Sequence, residues 1–195
     1  AGSNNWVVGG SRTASGKPLL AGDPHRALDA PNVYYQIHAA CDAFDVVGFS
    51  FPGVPGFPHF AHNATTAWGI THGNGDYQDL YVERFDPNHP GRYEFNGKWL
   101  EAEIHREPIR VRGRAAPEMV EIARTRHGPV VAGNYRSGIA IAFRYTATDA
   151  PNPTLDAIQL LHGARTADDV ENAMRKWVDP VNNLVYADLK GNFGY

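Results

Sequence analysis

Ala1-Gly2-Ser3-Asn4-Asn5-Trp6-Val7-Val8-Gly9 opens the chain, and the fold assignment starts there. A Gly-Ser pair runs straight into a short apolar stretch, with no charged residue before Arg12. Alone, a Gly followed by Ser ahead of a strand is an ordinary turn. It gains meaning from the segments downstream. The turn-rich Gly10-Ser11-Arg12-Thr13-Ala14-Ser15-Gly16 comes next, and Lys17-Pro18-Leu19-Leu20-Ala21 returns as the second strand of a hairpin.

The same grammar continues outward. Val33 to Ala40 and Phe44 to Phe51, bridged by Cys41-Asp42-Ala43, are rich in β-branched and aromatic residues and read as a second strand pair. Ala67–Thr71 and Asp79–Glu83 flank a Gly-rich loop. Trp99 to Val111 alternates apolar and polar as one half-exposed strand, and Ile139 to Tyr145 reads as a central one. Two helices come after it. Asn152-Pro153 predicts an N-cap with proline at the first helical position, and places Leu155, Ile158 and Leu161 on one face. Thr166 with Asp169 predicts a capping box, succeeded by Val170, Ala173, Met174 and Trp177 at helical spacing, with Pro180 as the stop. Leu184–Ala187 reads as a buried strand. Strands first and a helical pair late imply an α+β arrangement.

Composition bounds the chemistry. The 195 residues are 43% hydrophobic and 20% charged, an ordinary globular balance. A net charge of −3 argues against a nucleic-acid binder working through a bulk basic footprint. No run approaches the ~18–20 apolar residues of a membrane span, and no signal-peptide pattern is present. The single cysteine, Cys41, excludes an internal disulfide framework. Nine histidines invite a metal reading, with His59 and His62 three apart and His38 and His72 in nearby segments, but no zincin helix motif accompanies them.

Four further segments succeed the opening in order: Asp23-Pro24-His25; His62-Asn63-Ala64-Thr65-Thr66-Ala67-Trp68-Gly69-Ile70-Thr71, continuing to Asp76-Tyr77-Gln78-Asp79-Leu80-Tyr81; Arg126-His127-Gly128-Pro129-Val130; and Asn183-Leu184-Val185-Tyr186-Ala187-Asp188-Leu189-Lys190-Gly191-Asn192-Phe193-Gly194-Tyr195. Together with Gly2-Ser3 they closely resemble the penicillin acylase family of N-terminal-nucleophile hydrolases, from Ser3 to Tyr195. The resemblance implies a sandwich of antiparallel sheets between helical layers, incomplete here. It makes residues 3–195 the N-terminal part of a catalytic β chain and Ala1-Gly2 the end of a spacer removed by self-cleavage before Ser3. An α chain from the same precursor and the rest of the β chain are the implied partners, and the periplasm or the exterior the implied location.

The resemblance also implies roles. Ser3 is the nucleophile. A serine hydroxyl needs a base, and a free α-amino group with a pKa of about 7.7–8.0 serves near neutral pH. While Gly2 stays attached, that nitrogen is an amide and useless as a base. His25 resembles the residue that orients the nucleophile or its amine. His72 stands where a backbone N–H forms part of an oxyanion hole, with Gly73 and Gly75 beside it allowing close backbone approach. Asn183 resembles the side-chain donor to the same oxyanion, and strand alternation sends its neighbour Asn182 to the other face. Asp76, Gln78 and Asp79 resemble a calcium site, with two carboxylates and a carbonyl suited to a hard cation; no cofactor takes part in the chemistry. Ala61 replaces a glycine common in the family, which is tolerated unless the backbone there needs positive φ.

The implied reaction is hydrolysis of an amide between a carboxylic acyl group and an amine, through an acyl-enzyme. Two other classes compete: a non-catalytic β-rich binding fragment and a His-cluster metallohydrolase.

Overall fold

The computed structural model describes residues 2–56 and 59–195, so Ala1 of the expected spacer lies outside the described residues. Among the described residues, fifteen strands and two α-helices run in the order β1 (Ser3–Val8), β2 (Leu19–Pro24), β3 (Tyr35–Cys41), β4 (Phe44–Ser50), β5 (Phe60–His62), β6 (Thr66–His72), β7 (Gln78–Arg84), β8 (Arg92–Phe95), β9 (Lys98–Glu101), β10 (Glu103–Ile109), β11 (Glu118–Thr125), β12 (Gly128–Asn134), β13 (Ile139–Tyr145), α1 (Thr154–His162), α2 (Ala167–Met174), β14 (Asn182–Asp188) and β15 (Phe193–Gly194). The chain forms two compact units, one of residues up to Gly75 with Ala150–Tyr195, the other Asp76–Asp149. All described strand pairings are antiparallel.

The first unit is built on a six-stranded sheet in the order β15-β14-β6-β5-β4-β3. Cross-strand partners share a face, so the register Trp68↔Tyr186, Ile70↔Leu184 and Ala61↔Trp68 defines one apolar side. Val46, Ala61 and Trp68 on that side pack with Leu161 and Ala164, at the end of α1, and with Val170 and Ala173 of α2. Trp68 and Leu161 are almost fully buried, each contributing on the order of 2 kcal/mol or more by area removed from water. Gly48 pairs with Ala61, and a Cβ on Gly48 would lie 2.6 Å from that of Ala61. Ala61 is a core residue in a regular strand, and the absent side chain at Gly48 makes its room.

Helix α2 starts as expected. Thr166 Oγ1 accepts from Asp169 N at 3.2 Å, and Asp169 Oδ2 accepts from Thr166 N at 3.0 Å. It ends at Met174, before Trp177, whose indole N–H donates to the Pro180 carbonyl at 2.7 Å. Helix α1 differs more. Pro153 stands at its N-cap, with Asn152 Oδ1 accepting from Thr154 N at 3.1 Å. Its buried face is Ala157, Ile158 and Leu161, while Leu155 is exposed.

Asn63 ties the sheet to the helices. Its Oδ1 accepts from the backbone N–H and hydroxyl of both Thr65 and Thr66, and its Nδ2 donates to the Ala164 carbonyl at 2.7 Å. Asn63→Ala strands several of these donors in a half-buried site. A loss of about 2–3 kcal/mol is expected in urea unfolding at unchanged m-value.

The second unit carries a five-stranded sheet, β10-β11-β12-β13-β7, and the hairpin β8-β9. Trp99 to Val111 is therefore two strands in two sheets, not one. The break is at Ala102, whose N–H donates to the Gly91 carbonyl at 2.7 Å and leaves the ladder. Phe85, Tyr93 and Ala140 form a core. Nearby, buried Glu83 accepts from Thr125 Oγ1 at 2.7 Å and His127 Nδ1 at 2.8 Å, with the His127 ring stacked on Tyr81. The Arg126-His127-Gly128 motif thus closes the β11–β12 turn onto β7.

Candidate active site

The hairpin β1–β2 pairs Ser3 with Pro24 and Asn5 with Gly22. Ser3 and Asn5 are half-buried while Asn4 and Trp6 are exposed, so Ser3 and Asn5 share the inward face of β1. Asn5 Nδ2 lies 3.4 Å from the carbonyls of Gly69 on β6 and Asn183 on β14, bridging the hairpin to the middle of the sheet. At the other end of β1, a Cβ on Gly9 would meet the Phe193 ring at 2.7 Å. These two anchors give β1 a direction. Its N-terminus heads for the end of the sheet where β14 begins and β6 stops, the end that carries Asn183 and His72.

The junction before Ser3 is held from β2. His25 N–H donates to the Gly2 carbonyl at 3.0 Å. His25 Nε2–H donates to Asp23 Oδ2 at 3.0 Å. Nδ1 is then the ring atom left facing Gly2, and a Cβ built on Gly2 would lie 3.9 Å from it. The Gly2 carbonyl thus carries a backbone donor that continues the hairpin ladder, and the His25 imidazole stands near the same residue.

At the far end, Asn183 pairs with Thr71 and Asn182 with His72. Alternation sets Asn183 on the face that carries the hairpin and Asn182 on the helix face, where Asn182 Nδ2 donates to the Pro180 carbonyl at 2.8 Å. Asn183 Nδ2 lies 3.1 Å from Thr71 Oγ1 and 3.4 Å from the His72 carbonyl, and Oδ1 accepts from the Tyr195 hydroxyl at 3.0 Å. Gly73 N–H bonds the Val181 carbonyl at 2.8 Å, which makes that pair the hydrogen-bonded one. The antiparallel ladder alternates, so the His72 N–H points away from β14, to the side where Ile70 N–H meets the His59 carbonyl at 3.1 Å. The glycines after His72 serve packing: a Cβ at Gly73 or Gly75 would approach Val181 to 2.8 or 2.9 Å. Between them Asn74 adopts φ 51, in the left-handed region.

A cavity of about 520 Å³ opens beside this hairpin, lined by Leu20, Pro24, Tyr34, Phe49, Phe60 and His62 among others. Pro24 is the register partner of Ser3, so a largely apolar cavity adjoins the serine's own hairpin. Nothing in the sequence pattern marks this cavity, because its walls come from several strands and the loop before β3. Thr71, Tyr195 and Asp23 also escape sequence reasoning as site residues. Asp23 alone had a signal, its position two residues from His25 on one strand face.

The remaining candidates separate. His59 is buried among the rings of Tyr34, Phe51 and Phe60, His62 is exposed, and His38 pairs with Asp45 at 2.7 Å. Among the described residues no group of three His, Cys, Asp or Glu is gathered to hold a metal, so the His-cluster centre is not assembled. Asp76, Gln78 and Asp79 lie exposed at the start of the second unit. Gln78 and Asp79 are adjacent strand residues facing opposite ways, so only the Gln78 carbonyl can join the two carboxylates. Even with both carboxylates bidentate that makes at most about five of the 6–8 oxygens calcium takes, and these residues alone do not complete its cage.

Burial first, and then the Arg26 charge, push His59 down to about 4. The folded state therefore holds it neutral while the unfolded chain protonates it near 6.5. Its contribution is full above that value and is lost as pH falls from about 6.5 to about 4, by on the order of 3 kcal/mol. His59→Phe should flatten this part of the stability–pH profile, read as the difference between denaturant midpoints at about pH 7 and about pH 4.5.

The Penicillin amidase family model matches residues 1–195. The chain is 43% identical over 195 residues to the penicillin acylase 2 proenzyme of Pseudomonas sp. (strain SE83), covering 100% of this chain and 25% of that protein. It is 32% identical over 203 residues to acyl-homoserine lactone acylase QuiP of Pseudomonas aeruginosa, covering 97% of this chain and 24% of the other. The structure superposes on a thermostable penicillin G acylase from Alcaligenes faecalis with TM-score 0.80 at 31% identity, over 97% of this chain and 34% of that one. The chain spans about a quarter of the length of the curated relatives it matches.

Proposed function

Because the chain belongs to the penicillin amidase family of amidohydrolases, we propose that it carries the serine and the oxyanion donors of an acylase that cleaves amides of carboxylic acids. The single observation behind this reading is the Asn5 bridge, which lays the Ser3 strand across β6 and β14 toward Asn183. A nucleophile and an oxyanion donor then come to one end of one sheet face from opposite ends of the chain.

The chemistry begins with cleavage of the Gly2–Ser3 bond. Ser3 Oγ attacks the Gly2 carbonyl, held by the His25 N–H; the Gly2–Ser3 C–N bond breaks, the Oγ proton passes to the departing nitrogen and the Ser3 α-amine is freed, and water then hydrolyses the Gly2 ester to restore the hydroxyl. In turnover that amine takes the proton of Oγ as the hydroxyl attacks the substrate acyl carbon. The carbonyl electrons move onto oxygen, where the His72 N–H and Asn183 Nδ2 receive the charge. The C–N bond breaks, the amine leaves with the proton, and water repeats the sequence on the ester to release the acid. His25, oriented by Asp23, holds the Ser3 end of β1. The cavity beside Pro24 suits an apolar acyl group, burying it against Tyr34, Phe49 and Phe60.

Acylase activity of the whole protein, its α-chain partner and its location in the periplasm or outside belong to this proposal. So does calcium, for which Asp76, Asp79 and the Gln78 carbonyl would be a partial set completed elsewhere; no step passes through it. Among the described residues no helix is long and apolar enough to cross a membrane. The test is an assay of the full-length protein against an acyl-chain series on one amine. Hydrolysis rising with apolar acyl length supports the reading; no hydrolysis of any acyl amide by correctly processed protein refutes it.

A further inference from the structure

A carboxamide is nearly symmetric in shape, and only its NH₂ end can stabilise an oxyanion; turned over, Asn183 would present Oδ1 to a negative charge. Something has to fix the orientation. The Thr71 hydroxyl, 3.1 Å from Nδ2, accepts or donates and so does not choose. The His72 carbonyl only accepts, but at 3.4 Å it is a long contact. The remaining neighbour is the Tyr195 hydroxyl, donating to Oδ1 at 3.0 Å; a phenol can also do both, but it is more acidic than an aliphatic alcohol, so it donates more strongly, accepts more weakly and favours the oxygen end.

We propose that Tyr195 is a positioning residue that holds the Asn183 carboxamide with its NH₂ end toward the reacting carbonyl. The proposal rests on the reading of Asn183 as an oxyanion donor. Three contacts divide the work. Tyr195 donates to Oδ1, so turning the amide over would exchange that donation for the weaker acceptance of an N–H by a phenol oxygen and would set Oδ1 against the His72 carbonyl oxygen. Thr71 takes one N–H. The second N–H rests on the His72 carbonyl through the weakest of the three contacts and is the one free to swing to a developing oxyanion. Donation into Oδ1 also draws electron density from the amide nitrogen and makes that N–H a better donor. Tyr195 touches neither substrate nor nucleophile in this scheme. Tyr195 directly follows β15 and reaches Asn183 because β15 runs back along β14, with Gly194 paired to Tyr186.

The test is kinetic, on full-length protein whose processing is verified by mass, comparing Tyr195→Phe, Asn183→Ala and the double variant, with Thr71→Val and Thr71→Ser alongside. Tyr195→Phe is expected to lower kcat about threefold to tenfold with KM unchanged, since the lost contact acts only as charge develops. In the Asn183→Ala background the same change should cost nothing further, because no amide remains to be held. Thr71→Val should lower kcat and Thr71→Ser should restore it. Wild-type kcat in Tyr195→Phe, or an equal loss in both backgrounds, overturns the positioning role. Wild-type kcat in Asn183→Ala instead overturns the oxyanion reading beneath it.

Discussion

Ser3→Ala is expected to leave the protein uncut at the Gly2–Ser3 bond and to reduce amide hydrolysis on the order of a millionfold, to background. The size comes from the economy of the site. In the proposed mechanism one hydroxyl serves first as the nucleophile that breaks the chain and then as the nucleophile in turnover, and the nitrogen freed by the first event is the base for the second. No other described side chain replaces it: His25 is committed through Nε2–H to Asp23, and Thr71 lies within the sheet beneath the hairpin. The fold should be indifferent to the change. Ser3 sits at the end of β1, and its hairpin is anchored by Asn5 and by the packing of Gly9 against Phe193. A melting temperature near that of the parent, with loss of processing in a mass spectrum, checks both halves.

Asn183→Ala is the second large effect. Removing one preorganised oxyanion donor typically costs about 10²–10³ in kcat. KM should move little, because the ground-state carbonyl carries too little charge to claim the bond. Asn182→Ala is the internal control. Its side chain faces the helices and bonds the Pro180 carbonyl, so its substitution should touch stability and spare kcat. Steady-state kinetics of the two adjacent variants then separate a site residue from a structural one.

That contrast shows what a sequence can carry. Asn182 and Asn183 differ only by the pleat: alternation sends them to opposite faces without any tertiary knowledge, while the choice of Asn183 rests on the family resemblance. The Thr166–Asp169 capping box is equally local and appears as read. The β1–β2 hairpin brings Ser3 and His25 together across one turn-rich loop, so their relation is also legible. What cannot be read lies in long-range register. Asn183 meets Thr71 across 112 positions, and Asn5 meets the Asn183 carbonyl across 178. Neither spacing carries a pattern. The break at Ala102 hides for the same reason, since one hydrogen bond to Gly91 overrides an alternation that runs on through Val111. Glu118–Thr125 escapes because Met119 and Ile122 are exposed while Ala123 is its single buried apolar residue, so it lacks the signature of a half-buried strand.

The N-terminal residue of the active enzyme tests the proposed mechanism most directly. Full-length protein purified with acylase activity should give Ser3 at a new N-terminus, by intact mass and by stepwise sequencing, and Ser3→Ala should not. An enzyme with full activity in which Gly2 remains joined to Ser3 would contradict it, because the base on which the mechanism depends would then be an amide.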